Sequence, residues 1–393
     1  MKGINRNVWY MGVVSGLTDV SSEMLYPVIP LFLTTVLGAP MSVVGLIEGT
    51  AEATASLLKA AGGRLSDRLR RRKPFVVFGY GLSALSKPVL AFASAWPLVM
   101  VSRFFDRVGK GVRTAPRDAL IAASCAAEHR GLAFGLHRAM DTAGAALGPL
   151  VSLFLLESAH WSYRRVFLFS FIPAALGVAV LWAFVKEKPA AEEIGASPAP
   201  GRQGGSLSPE LKRFLRAYSL FALGNSSDVF LLLKAKSCGF STTQVLLAYV
   251  AYNVVYAALA APAGRLSDRL GRARTLSAGL GVFAAVYLGF AFVQARTGLW
   301  ALFMLYGVYA AMMEGVAAAL VADLSGPADR GTAMGYFQGL AGVLAFAASA
   351  AAGLLWTHLS PAAPFVMGAC GAAASSLALR SGRLSMGAPR PKD

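Results

Sequence analysis

Carboxylates are scarce in this chain: 20 Asp and Glu stand against 37 Lys and Arg, with only three cysteines and four histidines in 393 residues. Three scattered cysteines, Cys125, Cys238 and Cys370, exclude a disulfide framework and suit a structural role in packing. No cluster of Cys, His, Asp or Glu has metal-ligand spacing, and no nucleophile stands with a base and an orienting acid. Gly109-Lys110-Gly111 lacks the flanking spacing and the Ser or Thr after lysine that a phosphate-cradling loop needs. No metal or cofactor is therefore expected, and nothing points to an enzyme. No cleavable leader is expected either, because the first apolar stretch is too long and lacks a small-residue cleavage site.

Apolar residues fill the space that charge leaves. They make up 56% of the chain, mean hydropathy is +0.56, and apolar runs recur along almost the whole sequence. Their length, roughly 20 residues, is what a helix needs to cross a bilayer. About twelve spans are predicted, starting near Val8, Met41, Phe75, Pro97, Leu132, Val166, Leu211, Thr242, Leu276, Leu299, Thr332 and Ala362. Gly and Pro inside them are tolerated, since neighbouring helices satisfy the freed backbone groups. The fold class is thus an all-α polytopic membrane protein.

A net charge of +17 raises nucleic acid as a partner, and the placement of the basic residues dismisses it. With the N-terminus in the cytoplasm, Arg64 to Lys73, Arg113 to Arg130, Lys186 to Arg216, Arg265 to Arg274 and the tail from Arg380 share one side. The opposite loops keep Arg164, Arg165, Lys234, Lys236 and Arg296. This positive-inside pattern predicts both termini in the cytoplasm of a cell (inner) membrane, with anionic headgroups as partners of the basic loops.

Gly-Arg-Leu-Ser-Asp-Arg-Leu occurs at Gly63 to Leu69 and again at Gly264 to Leu270, a shift of 201 that also joins Gly38 to Gly239. His129-Arg130-Gly131 answers to Asp329-Arg330-Gly331 at 200, and Ser21-Ser22-Glu23 to Ser226-Ser227-Asp228 at 205. The chain is a duplication with short loop insertions. The expected organisation is a six-helix bundle over 1–185, a cytoplasmic linker over 186–210, a second bundle over 211–381 and a tail over 382–393. Ser208 reads as an N-cap, with Pro209 and Glu210 in the first turn of the seventh span.

Gly63-x-x-x-Asp67-Arg68 with its basic run to Lys73, and Gly264-x-x-x-Asp268-Arg269-x-Gly271-Arg272, resemble the cytoplasmic signature of the major facilitator superfamily. In that family the signature lies between helices two and three and again between eight and nine, where both copies fall here. The resemblance covers nearly the whole chain and implies two pseudo-symmetric six-helix bundles whose rocking gives alternating access. Asp67 and Asp268 can accept hydrogen bonds from the N-terminal end of a neighbouring helix, making Gly63, Asp67, Arg68, Gly264, Asp268 and Arg269 a candidate conformational latch. Arg70 to Lys73 suit headgroup anchoring equally well.

In the fourth span Arg103, Asp106, Arg107, Lys110 and Thr114 fall within a narrow arc, extended by Arg113 and Asp118. Counted from Trp96-Pro97, Arg103 to Arg107 lie roughly 10 to 17 Å deep. Charge is costly there, so the stripe is expected to face a cavity and to be partly paired, Asp106 with Arg103 and Lys110. Arg103, Gly109 and Gly111 partly match the superfamily's Arg-x-x-x-Gly-x-Gly signature of proton-coupled carriers, with Arg107 where glycine is usual and Asp106 where an uncharged residue is common. Gly135 followed by Gly144-x-x-x-Gly148-Pro149 resembles the antiporter signature without its closing glycines, and the same spacing serves helix packing. His137 and Asp141, one turn apart with Arg138 alongside, can form a polar cluster with the fourth span.

The first span presents Asp19, Glu23, Tyr26 and Pro30 on one face, and the second presents Glu48, Glu52 and Lys59. Carboxylates so placed suit proton uptake and release, Glu23 or Asp19 opposite Arg103 being the expected pair, and structural ion pairing is the alternative. At a shift of 201 Glu48, Glu52 and Lys59 become Tyr249, Asn253 and Ala260, leaving Asp228, beside Asn225, and Glu314 as the deep ionisable groups of the second half. Tyr249, Asn253 and Tyr256 there offer stacking and neutral hydrogen bonds. These features point to a monomeric secondary transporter of a small solute, an anion among the candidates, proton-coupled and exporting. Proton-coupled uptake of an organic anion or anionic metal chelate is the alternative, and a membrane sensor or scaffold is the reading from another class.

Overall fold

The computed structural model describes residues 6–69, 71–125, 130–187, 207–325 and 330–381, without the side chains at 60, 64, 67, 130–132, 330, 331 and 381. Most of the expected linker, the tail and the Asp67 side chain thus lie outside the described residues. All regular structure among them is helical. Two compact units emerge, one of Met1–Ala39 with Thr50–Gln203 and one of Pro40–Gly49 with Gly204–Asp393.

The first unit contains α1 (Arg6–Leu25), α2 (Val28–Leu31) continued by a π-helical turn (Phe32–Val36), most of α3 (Met41–Leu69), α4 (Lys73–Ala91), α5 (Trp96–Ala123), α6 (Arg130–Leu153) with a second π-helical turn (Phe154–Ser158), and α7 (Tyr163–Phe184). The second contains α8 (Pro209–Ala222), α9 (Val229–Ser237), α10 (Thr242–Leu270), α11 (Arg272–Phe292), α12 (Arg296–Asp323), α13 (Arg330–His358) and α14 (Ala363–Ser381). Helix starts fall within a few residues of those predicted. Seven segments among the described residues are long and apolar enough to cross a membrane: Lys73–Ala91, Ala133–Ser158, Tyr163–Phe184, Thr242–Leu270, Arg272–Phe292, Arg296–Asp323 and Thr332–His358. Those that fall short include α1, α3 and α5, the helices carrying the charges singled out above. Phe92, Trp182 and Phe292 are each more than 70% exposed, a placement that water penalises and lipid does not.

Two predicted spans are not continuous helices. Pro27, without an N–H to donate, separates α1 from α2. The seventh span unwinds between Ala222 and Val229, where Gly224 presses on α14: a Cβ there would lie 2.8 Å from the Gly368 Cα. Unwound backbone at membrane depth is tolerated where protein or a cavity surrounds it. Its start is as expected, since the Ser208 hydroxyl accepts the Leu211 N–H at 3.1 Å. Gly38 and Gly239, joined by the duplication, both adopt positive φ, +63° and +88°.

In the first unit α1 packs against α6 and α7, and α4 against α5 and α7; in the second, α10 packs against α12, α11 against α12 and α14, and α8 against α14. The α1–α6 seam explains the glycines of the fifth span. A Cβ on Gly148 would lie 2.7 Å from the Val20 carbonyl oxygen and 2.8 Å from the Glu23 Cβ, and one on Gly144 would collide with the Gly16 carbonyl. One turn beyond Gly148-Pro149, the Ser152 hydroxyl donates to the Met24 carbonyl at 2.6 Å. On the other flank of α1, Ser21 donates to Ser170 of α7 at 2.6 Å. Close packing therefore fixes the height and rotation of the helix that carries Asp19 and Glu23. The α5 glycines act likewise in two directions, Gly109 against the Gly79 backbone of α4 and Gly111 against α3, where an added Cβ would lie 2.7 Å from the Leu58 Cβ.

Overpacking at such a seam costs about 1–3 kcal/mol. Gly148→Val should lower the thermal unfolding midpoint of the detergent-purified protein by several degrees. Gly135→Ala, with nothing within 4 Å of its added Cβ, should leave the midpoint unchanged in the same assay.

Candidate functional site: one cavity in each unit

In the first unit α1, α4 and α5 enclose a cleft of about 40 Å³ whose polar lining is Asp19, Ser22, Glu23 and Tyr26 with Ser86, Lys87, Ser102, Arg103, Asp106, Arg107, Lys110 and Arg113. A water needs roughly 10–15 Å³ of such space, so the cleft is of a size for a few waters. Arg103 and Arg107 are 6% and 7% exposed. The Arg103 guanidinium lies over the Tyr26 ring at 6.0 Å, and that of Arg113 over the Tyr80 ring at 4.2 Å. Arg107 reaches Glu52 of α3 at 3.6 Å. Asp19, Glu23 and Arg103 are brought together around one space, as the spacing predicts, with Ile29 in the lining and Pro30 buried outside it. Glu48 is 2% exposed, belongs to the segment grouped with the second unit, and is not part of this lining.

The expected pairing of Asp106 along its own helix is corrected by the structure. Asp106 accepts the Lys87 ammonium of α4 at 3.1 Å and the Ser83 hydroxyl of the same helix. Lys87 is only 2% exposed, and an ammonium so far from water requires a carboxylate within reach. Arg103 and Lys110, with longer side chains, extend toward the cleft. Sequence reasoning missed Lys87, although a lone lysine before Pro88 in an otherwise apolar span was the available signal. On α6, His137 Nδ1 lies 3.4 Å from Asp141, while Arg117 and Asp118 of α5 stand close enough to act on the imidazole electrostatically, as the expected polar cluster requires. Arg138 is exposed.

The second unit encloses a larger cavity, about 340 Å³, between α8, the start of α9, α10, α12 and α13. Asp228 stands at the break between α8 and α9; one oxygen accepts the Tyr252 hydroxyl at 2.9 Å and the other the Tyr306 hydroxyl at 2.5 Å. Glu314 accepts the Tyr256 hydroxyl at 2.6 Å. Tyr218, Phe221, Tyr309 and Phe337 complete an aromatic wall, with Tyr218 and Phe337 rings 4.9 Å apart. Asn225 and Asn253 line it too, and the Asn253 amide donates to the Tyr249 carbonyl at 2.9 Å. Tyr249, expected to offer its ring here, is instead 6% exposed and packed edge-on to Tyr252 at 5.2 Å. It sits one turn along α10, where Tyr252 closes it off. Tyr252, Tyr306 and Tyr309 were missed. At a shift of 200, Arg103, Asp106, Lys110 and Arg113 of α5 become Phe303, Tyr306, Ala310 and Met313 of α12, which is the signal that locates Tyr306.

At the ends of α10, α11 and α12, Arg272 bonds Asp268 at 3.1 Å, Asp323 at 2.5 Å and the Ser267 hydroxyl at 3.2 Å. Asp268 thus takes the guanidinium of the first residue of α11. In the first unit the N-terminus of α4 is capped by Glu187, which accepts the Arg72 and Lys73 N–H groups at 2.5 and 3.1 Å. Arg68 and Arg269 are exposed.

A sequence model of the Major Facilitator Superfamily matches residues 11–233 and 214–392. The chain belongs to the major facilitator superfamily. An uncharacterized MFS-type transporter of Methanocaldococcus jannaschii is 36% identical over 382 residues, covering 96% of this chain and 94% of the relative. The multidrug resistance protein MdtH of Aeromonas hydrophila is 26% identical over 340 residues, 84% of this chain and 82% of its own. A solved structure of a mutant of the nucleoside transporter NupG aligns with a TM-score of 0.78 over 95% of this chain and 99% of its own at 12% identity, a likeness of fold. The protein is therefore a multi-pass helical membrane protein of a family of transporters.

Removing one partner of a buried ion pair costs about 3–5 kcal/mol, whereas replacing both with apolar groups is often neutral. Lys87→Met should lower the thermal midpoint markedly, and adding Asp106→Leu should restore most of the loss. A double variant as unstable as the single would show that the pair is not what Lys87 contributes.

Proposed function

We propose that the protein is a secondary active transporter that exports a small organic solute in exchange for protons by alternating access. In this reading about twelve segments cross a cell (inner) membrane with both termini in the cytoplasm, and the monomer is the working unit. The observation that carries the proposal is the unequal chemistry of the two cavities. The first sets Asp19 and Glu23 against Arg103, Arg107 and Lys110 around a water-sized space, which suits proton exchange between a carboxylate and water beside fixed cations. The second, at about 340 Å³ and walled by rings, falls within the roughly 300–1,000 Å³ typical of small-ligand sites. Coupling belongs to the first and cargo to the second. A scaffold has no use for deep charges, which weakens the sensor or scaffold alternative. The Arg272 bridge to Asp268 and Asp323 is the proposed latch of the second unit.

Inverted vesicles with an acidic lumen test the coupling. Adding a transported solute should alkalinise the lumen, and Glu23→Gln and Arg103→Ala should each abolish that response while the protein remains in the membrane. Transport that persists unchanged with a protonophore, with no proton movement, would sink the proposal.

A further inference from the structure

We infer that His137 and Asp141 of α6 form a proton path between the Asp19–Glu23 cleft and the cytoplasmic end of the first unit, with Asp118 of α5 at its mouth. The inference rests on the proton-coupled reading above and adds the route to it.

The close seam between α1 and α6 builds a ladder of ionisable groups. A Cβ on Gly148 would lie 2.8 Å from the Glu23 Cβ, one on Gly144 3.1 Å from the Asp19 Cβ, and one on Gly16 3.1 Å from the Met140 carbonyl oxygen. Asp141, next to Met140, therefore stands about one turn from Asp19 along the seam, close enough for the two carboxylates to act on one another. His137 follows one turn nearer the start of α6, its Nδ1 3.4 Å from Asp141. Arg117 and Asp118 of α5 stand within electrostatic reach of the ring, as does Arg138 on its own helix, and Lys59 of α3 meets the same three groups. Asp118 accepts from Arg117 through one oxygen, at 2.9 and 3.0 Å, and its side chain is 41% exposed, so the ladder ends at the surface.

Both ends of the histidine–aspartate pair are open. His137 is 4% exposed, yet its Nε2 has no hydrogen-bond partner, and neither has Asp141 Oδ1. A pair that only braced two helices would have both ends satisfied. These are the two atoms that a transfer needs. A proton leaving Asp19 forms an O–H bond at Asp141 Oδ1; the carboxyl group turns and passes it to His137 Nδ1, and the imidazolium releases its Nε2 proton toward Asp118 and water. Both carboxylates end ionised and the ring ends neutral, so one proton has moved and nothing is consumed. Nor does the fold require the pair. At the shift of 200 that joins His129-Arg130-Gly131 to Asp329-Arg330-Gly331, Arg117, Asp118, His137 and Asp141 become Ala317, Ala318, Phe337 and Ala341, and α12 and α13 form with these residues in place.

Proton uptake by the full-length protein in nanodiscs, started by flash release of a caged proton and followed by the infrared band of protonated carboxyl groups, tests the path without any transported solute. Loss of the band in Asp19→Asn combined with Glu23→Gln assigns it to the cleft. His137→Phe and Asp141→Asn should each slow its rise by about tenfold or more and keep its final amplitude, and added imidazole should restore the rate of His137→Phe. A bracing residue would instead change the unfolding midpoint and would not answer to imidazole. Should His137→Phe fail to fold, Asp141→Asn and Asp118→Asn, which keep the native shape, carry the test, the latter with a rise slowed a few fold. Absence of a cleft band in the parent, or a rise indifferent to these substitutions, would overturn the inference. Slowed uptake in the variants of a parent that exchanges protons for no solute in vesicles would overturn the transport reading alone. Solute-driven proton exchange in the parent, with uptake indifferent to the substitutions, would overturn this inference alone.

Discussion

An ionised group inside a membrane has to be answered by an opposite charge, a dipole or a trapped water, because lipid offers none of these. This constraint orders the first unit. Arg103, Arg107, Lys110 and Arg113 project from one helix, and α1, α3 and α4 are arranged so that each brings something to meet them: Asp19 and Glu23, Glu52, and Tyr80. Asp106, of opposite sign on the same helix, takes the Lys87 ammonium of α4. The helices carrying this chemistry are the ones whose apolar character is too low to cross a membrane alone. They depend on apolar neighbours such as α4 and α7 to take the lipid side.

Such an arrangement tolerates little slack, and the small residues supply the precision. Gly148 and Gly144 bring α1 onto α6 at the turns that bear Asp19 and Glu23, while Gly109 and Gly111 hold α5 between α4 and α3. A glycine pattern can therefore be a packing device and a determinant of chemistry at once: it carries no reactive group, yet it sets where the reactive groups stand. The second unit meets the polar constraint differently. It unwinds a helix and brings the hydroxyls of Tyr252, Tyr306 and Tyr256 onto the carboxylates of its cavity.

Much of this was legible in the sequence, and the limits have physical reasons. Hydropathy places the helix starts, the repeated heptapeptide identifies the family, Ser208 marks a cap, and the shared register of Gly38 and Gly239 anticipates two left-handed turns. The cavity position of Asp19, Glu23, Tyr26 and Arg103 follows from helical periodicity. What periodicity cannot give is the partner on another helix. Lys87 with Asp106, Arg272 with Asp323 and Glu187 at the start of α4 are all contacts between elements, and nothing in one helix's spacing names its neighbour's residue. Tyrosines posed a second difficulty. In an apolar span they pass as filler, and Tyr306 becomes visible only when α12 is laid over α5, where it takes the place of Asp106.

The tyrosine wall of the second unit has a consequence for discrimination. Hydrogen bonds impose direction, and a pocket built from them accepts one outline and rejects its near relatives. Ring faces impose neither angle nor length, and three of the hydroxyls, those of Tyr252, Tyr306 and Tyr256, already donate to Asp228 and Glu314. A cavity walled in this way would sort whatever enters it by bulk, and would remain tolerant of detailed shape.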